Sequence, residues 1–444
     1  MEIVLITLFV LGYLAITLEH TIKIDKLIPA LSMMAVLWAV VSIYHLPVFE
    51  VDIISKQLIP SHIDDLLLHH LGKTAEILVF LLGAMTIVEI IDYFNGFATI
   101  KNFIKTKSKK GLLFIFSGLA FSLSAIIDNL TATIVLITIL QKVIIVRNTR
   151  IWFAGLIIIS ANAGGAWSPI GDVTTTMLWI GDKVTTGKLI LNLFIPSIIC
   201  MIVPVLVATR LPAFRGNLSI DIGKKDTGHQ VHKYGSTMLY LGLSAIIFVP
   251  IFKILTHLPP YVGMMLSLAV VAAFAEIFSS SKINITSIDE DHEKYSSHSP
   301  VHSSLSKIEL PSILFFLGIL MAVAALESLG MLFEFAETIN NTIPNTDLVV
   351  LLLGFGSAII DNVPLVAASM GMFSQLIDDP LWHFIAFSAG TGGSMLIIGS
   401  AAGVVAMGME KIDFFWYLKK ISWLALVGFI SGSLTFILMR DFII

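Results

Sequence analysis

Long apolar runs are the feature that most constrains how this chain can fold. At least eight are long enough to span a bilayer, which takes about 20 residues per helix. They lie near residues 3–18, 28–45, 74–98, 189–210, 238–254, 261–279, 309–335 and 421–440. Backbone groups inside lipid must satisfy their own hydrogen bonds, so these runs have to be helices. Only 13% of the 444 residues are charged, against about 25% in soluble domains. The sequence therefore predicts an all-α polytopic membrane protein.

Four further apolar regions are interrupted by polar residues or glycines. They are 111–146 (broken at Asp128-Asn129), 151–182 (Asn162 to Asp172), 346–377 (Asp361-Asn362) and 382–408 (Gly390 to Ser394). Irregular backbone at membrane depth is tolerated only where it lines a cavity or is buried in protein. We therefore predict two re-entrant hairpins, one at each Asp-Asn pair, and two broken helices.

The order of these features repeats along the chain. Ser124-Ala-Ile-Ile-Asp128-Asn129 recurs 233 residues later as Ser357-Ala-Ile-Ile-Asp361-Asn362. Gly164-Gly165 recurs, with nearly the same offset, as Gly392-Gly393. Matching features in the same order indicate an internal duplication.

The placement of Lys and Arg predicts that the two repeats are inverted. If each hairpin returns to the side it entered from, each repeat crosses the membrane five times and the halves have opposite orientations. The stretches that this arrangement places in the cytoplasm hold 21 of the 27 Lys and Arg residues, as the positive-inside rule requires. We divide the chain into a first inverted repeat (1–210), a cytoplasmic linker (211–235) and a second inverted repeat (236–444).

The interrupted segments also carry the candidate chemistry, because broken helices at paired positions of inverted halves point to a transport site. A charge at mid-membrane costs about 2.5–3.5 kcal/mol on insertion scales, and such residues are usually functional. Carboxylates, amide carbonyls and hydroxyls are the ligands of hard cations. The sequence predicts that Na⁺ binds Asp128, Asn129, Asp361 and Asn362.

The full predicted set of ion- and proton-binding residues offers the same oxygen ligands. It comprises Ser124, Asp128, Asn129, Asn162, Asp172, Thr174, Thr175, Ser357, Asp361, Asn362 and Ser394, with Thr131, Ser168, Thr176, Thr391 and Ser400 nearby. Simpler roles stay open. Each of the three aspartates could be an ordinary helix N-cap, and each Ser or Thr could be a helix-packing group.

The segments Ser124 to Asn129 and Asn162-Ala-Gly-Gly-Ala-Trp-Ser-Pro-Ile-Gly-Asp172-Val-Thr-Thr175 closely resemble the NhaD-type Na⁺/H⁺ antiporters of the ion transporter superfamily. The resemblance covers nearly the whole chain. It implies an inverted-repeat fold and a homodimer in the lipid bilayer. It also implies functional roles for Ser124, Asp128, Asn129, Asn162, Asp172, Thr174, Thr175, Ser357, Asn362 and Ser394. Relatives that transport carboxylates resemble one another in a Ser-Asn-Thr pattern at their binding sites. This chain has Asp-Asn at both hairpin tips, which suits a cation better than a carboxylate anion.

The leading prediction is an antiporter that exchanges Na⁺ or Li⁺ for H⁺ in a bacterial inner membrane. It is not an enzyme, and it has neither a cofactor nor a nucleic-acid partner. The exchange is expected because a carboxylate can hold a proton or help to hold Na⁺, and each ion lowers the affinity for the other.

Two other functions stay open. A Na⁺-coupled anion symporter of the same fold would require Lys or Arg at depth, and we find none in the sequence. An intramembrane aspartyl protease would resemble Gly-x-Gly-Asp, whereas Asp172 follows Pro169-Ile-Gly. The stretch 280–308 contains His292, His298 and His302. We predict a polar linker there in preference to a metal tract, because the spacing matches no ligand geometry.

Overall fold

A computed structural model describes residues 1–17, 23–52, 57–103, 106, 108–217, 234–280, 299–308, 310–343, 345–359 and 362–442. The helices are α1 (Glu2–Thr17), α2 (Leu27–Ile43), α3 (Ile63–Tyr93), α4 (Lys109–Ile127), α5 (Asn129–Val143), α6 (Arg147–Gly165), α7 (Val173–Ile180), α8 (Thr186–Ala208), α9 (Gly235–Thr256), α10 (Pro260–Ser280), α11 (Pro300–Leu305), α12 (Leu310–Ser328), α13 (Met331–Thr342), α14 (Thr346–Ile359), α15 (Asn362–Met372), α16 (Pro380–Gly392), α17 (Ala401–Glu410), α18 (Phe414–Lys420) and α19 (Ser422–Phe442). Short 3₁₀ turns cover Gly96–Phe103, Pro212–Phe214 and Gly393–Met395.

Seven of the described helices are long and apolar enough to cross a membrane. They are α3, α4, α8, α9, α10, α12 and α19. Shorter apolar helices, including α5 of the first hairpin and both arms of the second, accompany them. The predicted fold class, an all-α polytopic membrane protein, is confirmed.

Two of the predicted spans have different limits in the structure. The run at 74–98 belongs to α3, which begins at Ile63 because the polar residues before the apolar run continue the same helix. The run at 309–335 was wrong as a single span. It divides at Gly330, whose φ of +71° ends α12 and starts α13, a conformation that glycine adopts without steric cost.

Both Asp-Asn segments fold as helical hairpins. In the first, α4 and α5 pack against each other and only Asp128 separates them. Its φ of +83° reverses the chain, a backbone region that residues other than glycine rarely occupy. In the second, α14 and α15 also pack against each other, and residues 360 and 361 between them lie outside the described residues.

The hairpins and broken helices of the two halves pack into each other. Within each half, the first hairpin arm packs on the first segment of the broken helix: α4 on α6 and α14 on α16. Between the halves, α5 packs on α17 and α15 packs on α7. Arg150 on α6 also bonds both carboxylate oxygens of the buried Glu410 on α17 at 2.7 Å. Residues from both halves therefore meet at one place.

Paired glycines permit the closest of these contacts. A Cβ added at Gly164 on α6 would lie 2.2 Å from the carbonyl oxygen of Phe121 on α4. A Cβ at Gly392 on α16 would lie 2.1 Å from the carbonyl oxygen of Gly354 on α14. Real Cβ atoms do not approach so closely, so each glycine sets how near its two helices come.

Some elements were missed by the sequence analysis. An antiparallel pair, β1 (Val48–Asp52) and β2 (Gln57–Ser61), precedes α3. Within the predicted linker at 280–308, α11 is helical and contains His302, whereas His292 and His298 lie outside the described residues. Most of the second predicted linker, residues 218–233, lies outside them too.

Candidate functional site

A cavity of ≈ 90 Å³ lies where the hairpins and broken helices meet. Its polar lining residues are Lys26, Asp128, Asn129, Thr131, Asp172, Thr176, Ser312 and Asn362. Apolar side chains of α3, α4, α9, α10 and α12 complete the wall. Two predicted carboxylates and two predicted amides therefore face one small space.

Four helices begin at this cavity. The first residues of α5, α7, α15 and α17 are Asn129, Val173, Asn362 and Ala401, and all four line it. A helix N-terminus carries a partial positive charge, which favours a neighbouring anion. Asp128 and Asp172, the residues immediately before α5 and α7, lie in this region.

Asp128 has the capping role that the sequence left open. Its Oδ1 accepts a hydrogen bond from the Thr131 backbone N–H at 2.8 Å, which caps α5. Its Oδ2 accepts a second one from the Thr131 hydroxyl, also at 2.8 Å. Because Asp128 also lines the cavity, capping and ion binding are compatible at this residue.

Asp172 is different from Asp128, although it too occupies an N-cap position. Among the described residues, its side chain accepts no hydrogen bond from the backbone N–H groups at the start of α7. Its Oδ2 instead accepts a hydrogen bond from Asn362 Nδ2 on α15 at 2.9 Å. Asp172 as a whole residue is only 2% exposed. It therefore joins the first broken helix to the second hairpin at the cavity wall.

A second buried chain of hydrogen bonds runs from the first hairpin to the second broken helix. Asn129 Nδ2 donates to Asn162 Oδ1 at 3.1 Å. Asn162 Nδ2 in turn donates to Ser400 Oγ at 3.0 Å, and Ser400 also accepts from the Gly403 backbone N–H at the start of α17. Asn162 lies behind the cavity wall and fixes Asn129 from there.

Equivalent positions of the two halves make equivalent contacts. Ser124 Oγ donates to the Ala161 carbonyl at 2.6 Å, and Ser357 Oγ donates to the Ala389 carbonyl at the same distance. The φ and ψ angles at Asp172 are −149° and 149°, and those at Ser400 are −147° and 152°. The backbone of the two broken helices is thus the same at their restart.

The side chains at these equivalent positions are not the same. Where the first half has Asp172, the second has Ser400, and where the first has Asn162, the second has Gly390. A Cβ at Gly390 would lie 3.4 Å from Asp172 Oδ2, so this glycine leaves space for the carboxylate. The site is therefore asymmetric, with its buried carboxylate on the first broken helix.

The other predicted hydroxyls do not line the cavity. Ser394 Oγ donates to the Thr391 carbonyl at 2.6 Å, and Thr175 Oγ1 donates to the Asp172 carbonyl at 2.9 Å. Thr174 Oγ1 is buried without a hydrogen-bond partner among the described residues. Ser124, Ser357, Ser394 and Thr175 therefore bind backbone carbonyls where the helices unwind.

Lys26 is the residue that the sequence analysis missed. The sequence analysis placed it in a cytoplasmic loop. In the structure it lies immediately before α2 and lines the cavity. Its Nζ lies 4.4 Å from the centre of the Phe315 ring, a cation–π distance. One cationic side chain therefore reaches the wall of this cavity, and no pattern around Lys26 in the sequence marked it as a wall residue.

The comparisons with known proteins agree on a transporter. The profile of the citrate transporter family, CitMHS, matches residues 13–382. Sodium/proton antiporter 1 of Arabidopsis thaliana is 40% identical, with 99% of this chain and 73% of that protein covered. Sodium/proton antiporter 2 of the same plant is 39% identical, with 98% and 99% covered.

A bacterial protein and a solved structure extend the similarity. The Na(+)/H(+) antiporter NhaD of Vibrio parahaemolyticus is 33% identical, with 79% of this chain and 87% of that protein covered. The crystal structure of the YdaH transporter of Alcanivorax borkumensis is 13% identical, with a TM-score of 0.52 and coverage of 94% and 97%. That structure bears on the fold alone. The resemblance to NhaD-type antiporters inferred from the motifs is confirmed.

Proposed function

The chain belongs to the citrate transporter (CitMHS) family, and from this premise we propose that it exchanges Na⁺ for H⁺ across a membrane through Asp128 and Asp172. The observation that carries the proposal is that these two carboxylates and the Asn129 and Asn362 amides line one small cavity together. Because the relatives are transporters, the expectation that the chain is not an enzyme is confirmed.

The exchange follows from competition for the same oxygen atoms. A carboxylate that binds a proton loses the charge that attracts Na⁺, and bound Na⁺ in turn disfavours protonation. The affinity change must be reciprocal, because the two binding equilibria are linked. If the site changes sides only when occupied, the two ions move in opposite directions.

A cation fits the charges at the cavity better than a carboxylate anion does. Bare helix N-termini would favour an anion, but here Asp128 and Asp172 already occupy that region. Lys26 supplies a single positive side chain against these two carboxylates. The anion symporter is therefore kept only as an outcome of the test below.

The finer parts of the proposal concern architecture and setting. We propose that residues 1–210 and 236–444 are inverted repeats joined by a cytoplasmic linker at 211–235. In support, Ser124 and Ser357 make equivalent hydrogen bonds in their own halves, and Gly164 and Gly392 make equivalent close helix contacts. We further propose that Li⁺ replaces Na⁺, that the chain is a homodimer in a bacterial inner membrane, and that no cofactor takes part. A Na⁺ ligand role for Asp361 also stays a prediction.

The test uses everted membrane vesicles that contain a pH-sensitive fluorescent dye and are energised by respiration. Adding NaCl or LiCl is expected to release protons and restore fluorescence, and Asp128→Ala should abolish this response. Asp441→Ala, which changes an aspartate at the exposed end of α19, is the matched control and should behave as the unmodified protein. No response to any cation, together with Na⁺-dependent uptake of labelled citrate, would establish the symporter instead.

Thr131→Val is expected to raise the Na⁺ concentration that gives half-maximal exchange by about tenfold. The change removes the hydroxyl that bonds Asp128 Oδ2 and preserves the side-chain shape. A hydrogen bond to a charged group contributes about 1.5–3 kcal/mol, and about 1.4 kcal/mol is a factor of ten in affinity. Thr7→Val on the exposed face of α1 is the control. An unchanged half-maximal concentration in Thr131→Val would show that the hydroxyl does not hold the carboxylate in place.

A further inference from the structure

A second cavity adjoins the one that contains Asp128 and Asp172. It has a volume of ≈ 280 Å³ and lies between α3, α5 and the 3₁₀ turn at Gly96–Phe103. Met85, Leu130 and Thr131 line both cavities. The two spaces therefore meet at the residue whose hydroxyl bonds Asp128.

Polar residues extend from this junction toward the end of the fold that is rich in Lys. Two helix faces supply the walls: Met85, Glu89 and Asp92 on α3, and Thr131, Ile134, Thr138 and Lys142 on α5. Their spacing of three or four residues places each set on one side of its helix. Thr131 and Glu89 are half-buried, whereas Asp92, Thr138 and Lys142 are exposed. The residues nearer Asp128 are thus less exposed than those nearer Lys142.

The walls of this cavity combine apolar side chains with charged and polar ones, and the charged ones favour the entry of water. Charged side chains facing hydrocarbon are costly, and within membrane segments they face a protein interior or a water-filled space. Glu89 lies one helical turn inside Asp92, so the cavity keeps an acidic group between its mouth and Asp128. A helix surface that faces lipid is expected to be apolar, as the surface of α19 around the exposed Leu434 is.

We propose that this second cavity, here called the acidic vestibule, is the aqueous route by which a monovalent cation reaches Asp128 from the side of Lys142. Glu89 is the group that draws the cation inward. The inference rests on the proposed function, and it adds the route, the side from which the site is open and a residue for cation attraction.

The role of Glu89 follows from electrostatics in a narrow channel. A cleft with charge of one sign and walls of low dielectric constant concentrates counter-ions and raises their association rate by a factor of about 10 to 1,000. Asp92 adds to this effect at the mouth, and Lys142 opposes it there. Glu89, deeper than both, is the charge nearest the junction with the Asp128 cavity.

The first experiment maps access to the vestibule without any need for transport. The chain has one cysteine, Cys200, so Cys200→Ser gives a background for single cysteines. Ile134→Cys and Thr138→Cys are treated with a membrane-impermeant methanethiosulfonate, which reacts with thiolates and therefore needs water at the thiol. Leu434→Cys, at a 55% exposed apolar position, is the matched control.

Both vestibule cysteines are expected to react in everted vesicles and to be protected in right-side-out vesicles, while Leu434→Cys reacts in neither. Failure of both to react, or equal reaction from the two sides, would overturn the route. If labelling succeeds but NaCl releases no protons, the proposed exchange fails while the route stands, so the two failures are distinguishable.

The second experiment tests Glu89 by its dependence on salt. Glu89→Gln should raise the half-maximal Na⁺ concentration about tenfold at low ionic strength, with little change in maximal rate. The difference should shrink at high ionic strength, because salt screens charges in contact with water. A purely structural role would not depend on salt in this way. An equal half-maximal concentration at low ionic strength would remove Glu89 from the proposal.

Discussion

Asp172→Asn is expected to lower Na⁺-driven proton exchange by about 100-fold or more. The change keeps the side-chain shape but removes the negative charge of this buried residue. In the unmodified protein Asn362 Nδ2 donates to Asp172 Oδ2 at 2.9 Å, and after the change it faces a neutral amide. A hydrogen bond to a charged group contributes about 1.5–3 kcal/mol. Loss of the charge that we propose binds Na⁺ adds to this, and about 2.8 kcal/mol corresponds to a 100-fold change.

The control for this change is Asp182→Asn, ten residues further along the chain. Asp182 is 74% exposed at its side chain and pairs with Lys253, and exposed ion pairs contribute about 1 kcal/mol or less. Its exchange rate should stay close to that of the unmodified protein. Exchange would be measured in proteoliposomes at matched protein content. A rate for Asp172→Asn above a tenth of normal would show that another group carries the charge.

Gly392→Ala is expected to disrupt the packing of the second broken helix and abolish exchange. The added methyl would lie 2.1 Å from the Gly354 carbonyl oxygen and 2.8 Å from its carbon. The obstacle is backbone, so relief requires α14 and α16 to separate. Overpacking of this kind typically costs about 1–3 kcal/mol, and occasionally more. Gly164→Ala should have the same effect, because its methyl would meet the Phe121 backbone.

Two glycines without close neighbours provide matched controls. A Cβ added at Gly118 on α4 or at Gly408 on α17 meets nothing within 4 Å. Gly118→Ala and Gly408→Ala should therefore preserve folding and exchange. Thermal unfolding in detergent would compare the four variants, with a fall of several degrees expected only for Gly164→Ala and Gly392→Ala. Equal melting temperatures in all four would mean that these helices adjust without cost.

The sequence was most informative where an irregular segment interrupts an apolar run. Asp128-Asn129 and the glycines at 164 and 165 marked a hairpin and a broken helix, because lipid restricts backbone to few alternatives. It was less informative about which polar side chains face the cavity. A serine beside an unwound helix has the same sequence signature whether it faces an ion or, like Ser124, a backbone carbonyl.

Lys26 and Asn162 also show that the sequence does not reveal which polar side chains line the cavity. Lys26 lies in the segment before α2, as the sequence indicated, and the packing of α2 against α12 brings it to the cavity wall as well. Asn162 was expected at the ion, but its hydrogen bonds to Asn129 and Ser400 hold it behind the wall. Both placements depend on contacts between distant parts of the chain, which apolar periodicity does not encode.

The first broken helix has Asp172 where the second has Ser400 at the matching position. The two halves therefore differ in charge at this position. A transmembrane voltage acts on charge, with about 2.3 kcal/mol per elementary charge for each 100 mV crossed. The φ and ψ angles at these two positions are nearly equal, yet an ionised Asp172 experiences the voltage and Ser400 does not. Movement of the first broken helix with its carboxylate ionised therefore does electrical work that the same movement of the second does not.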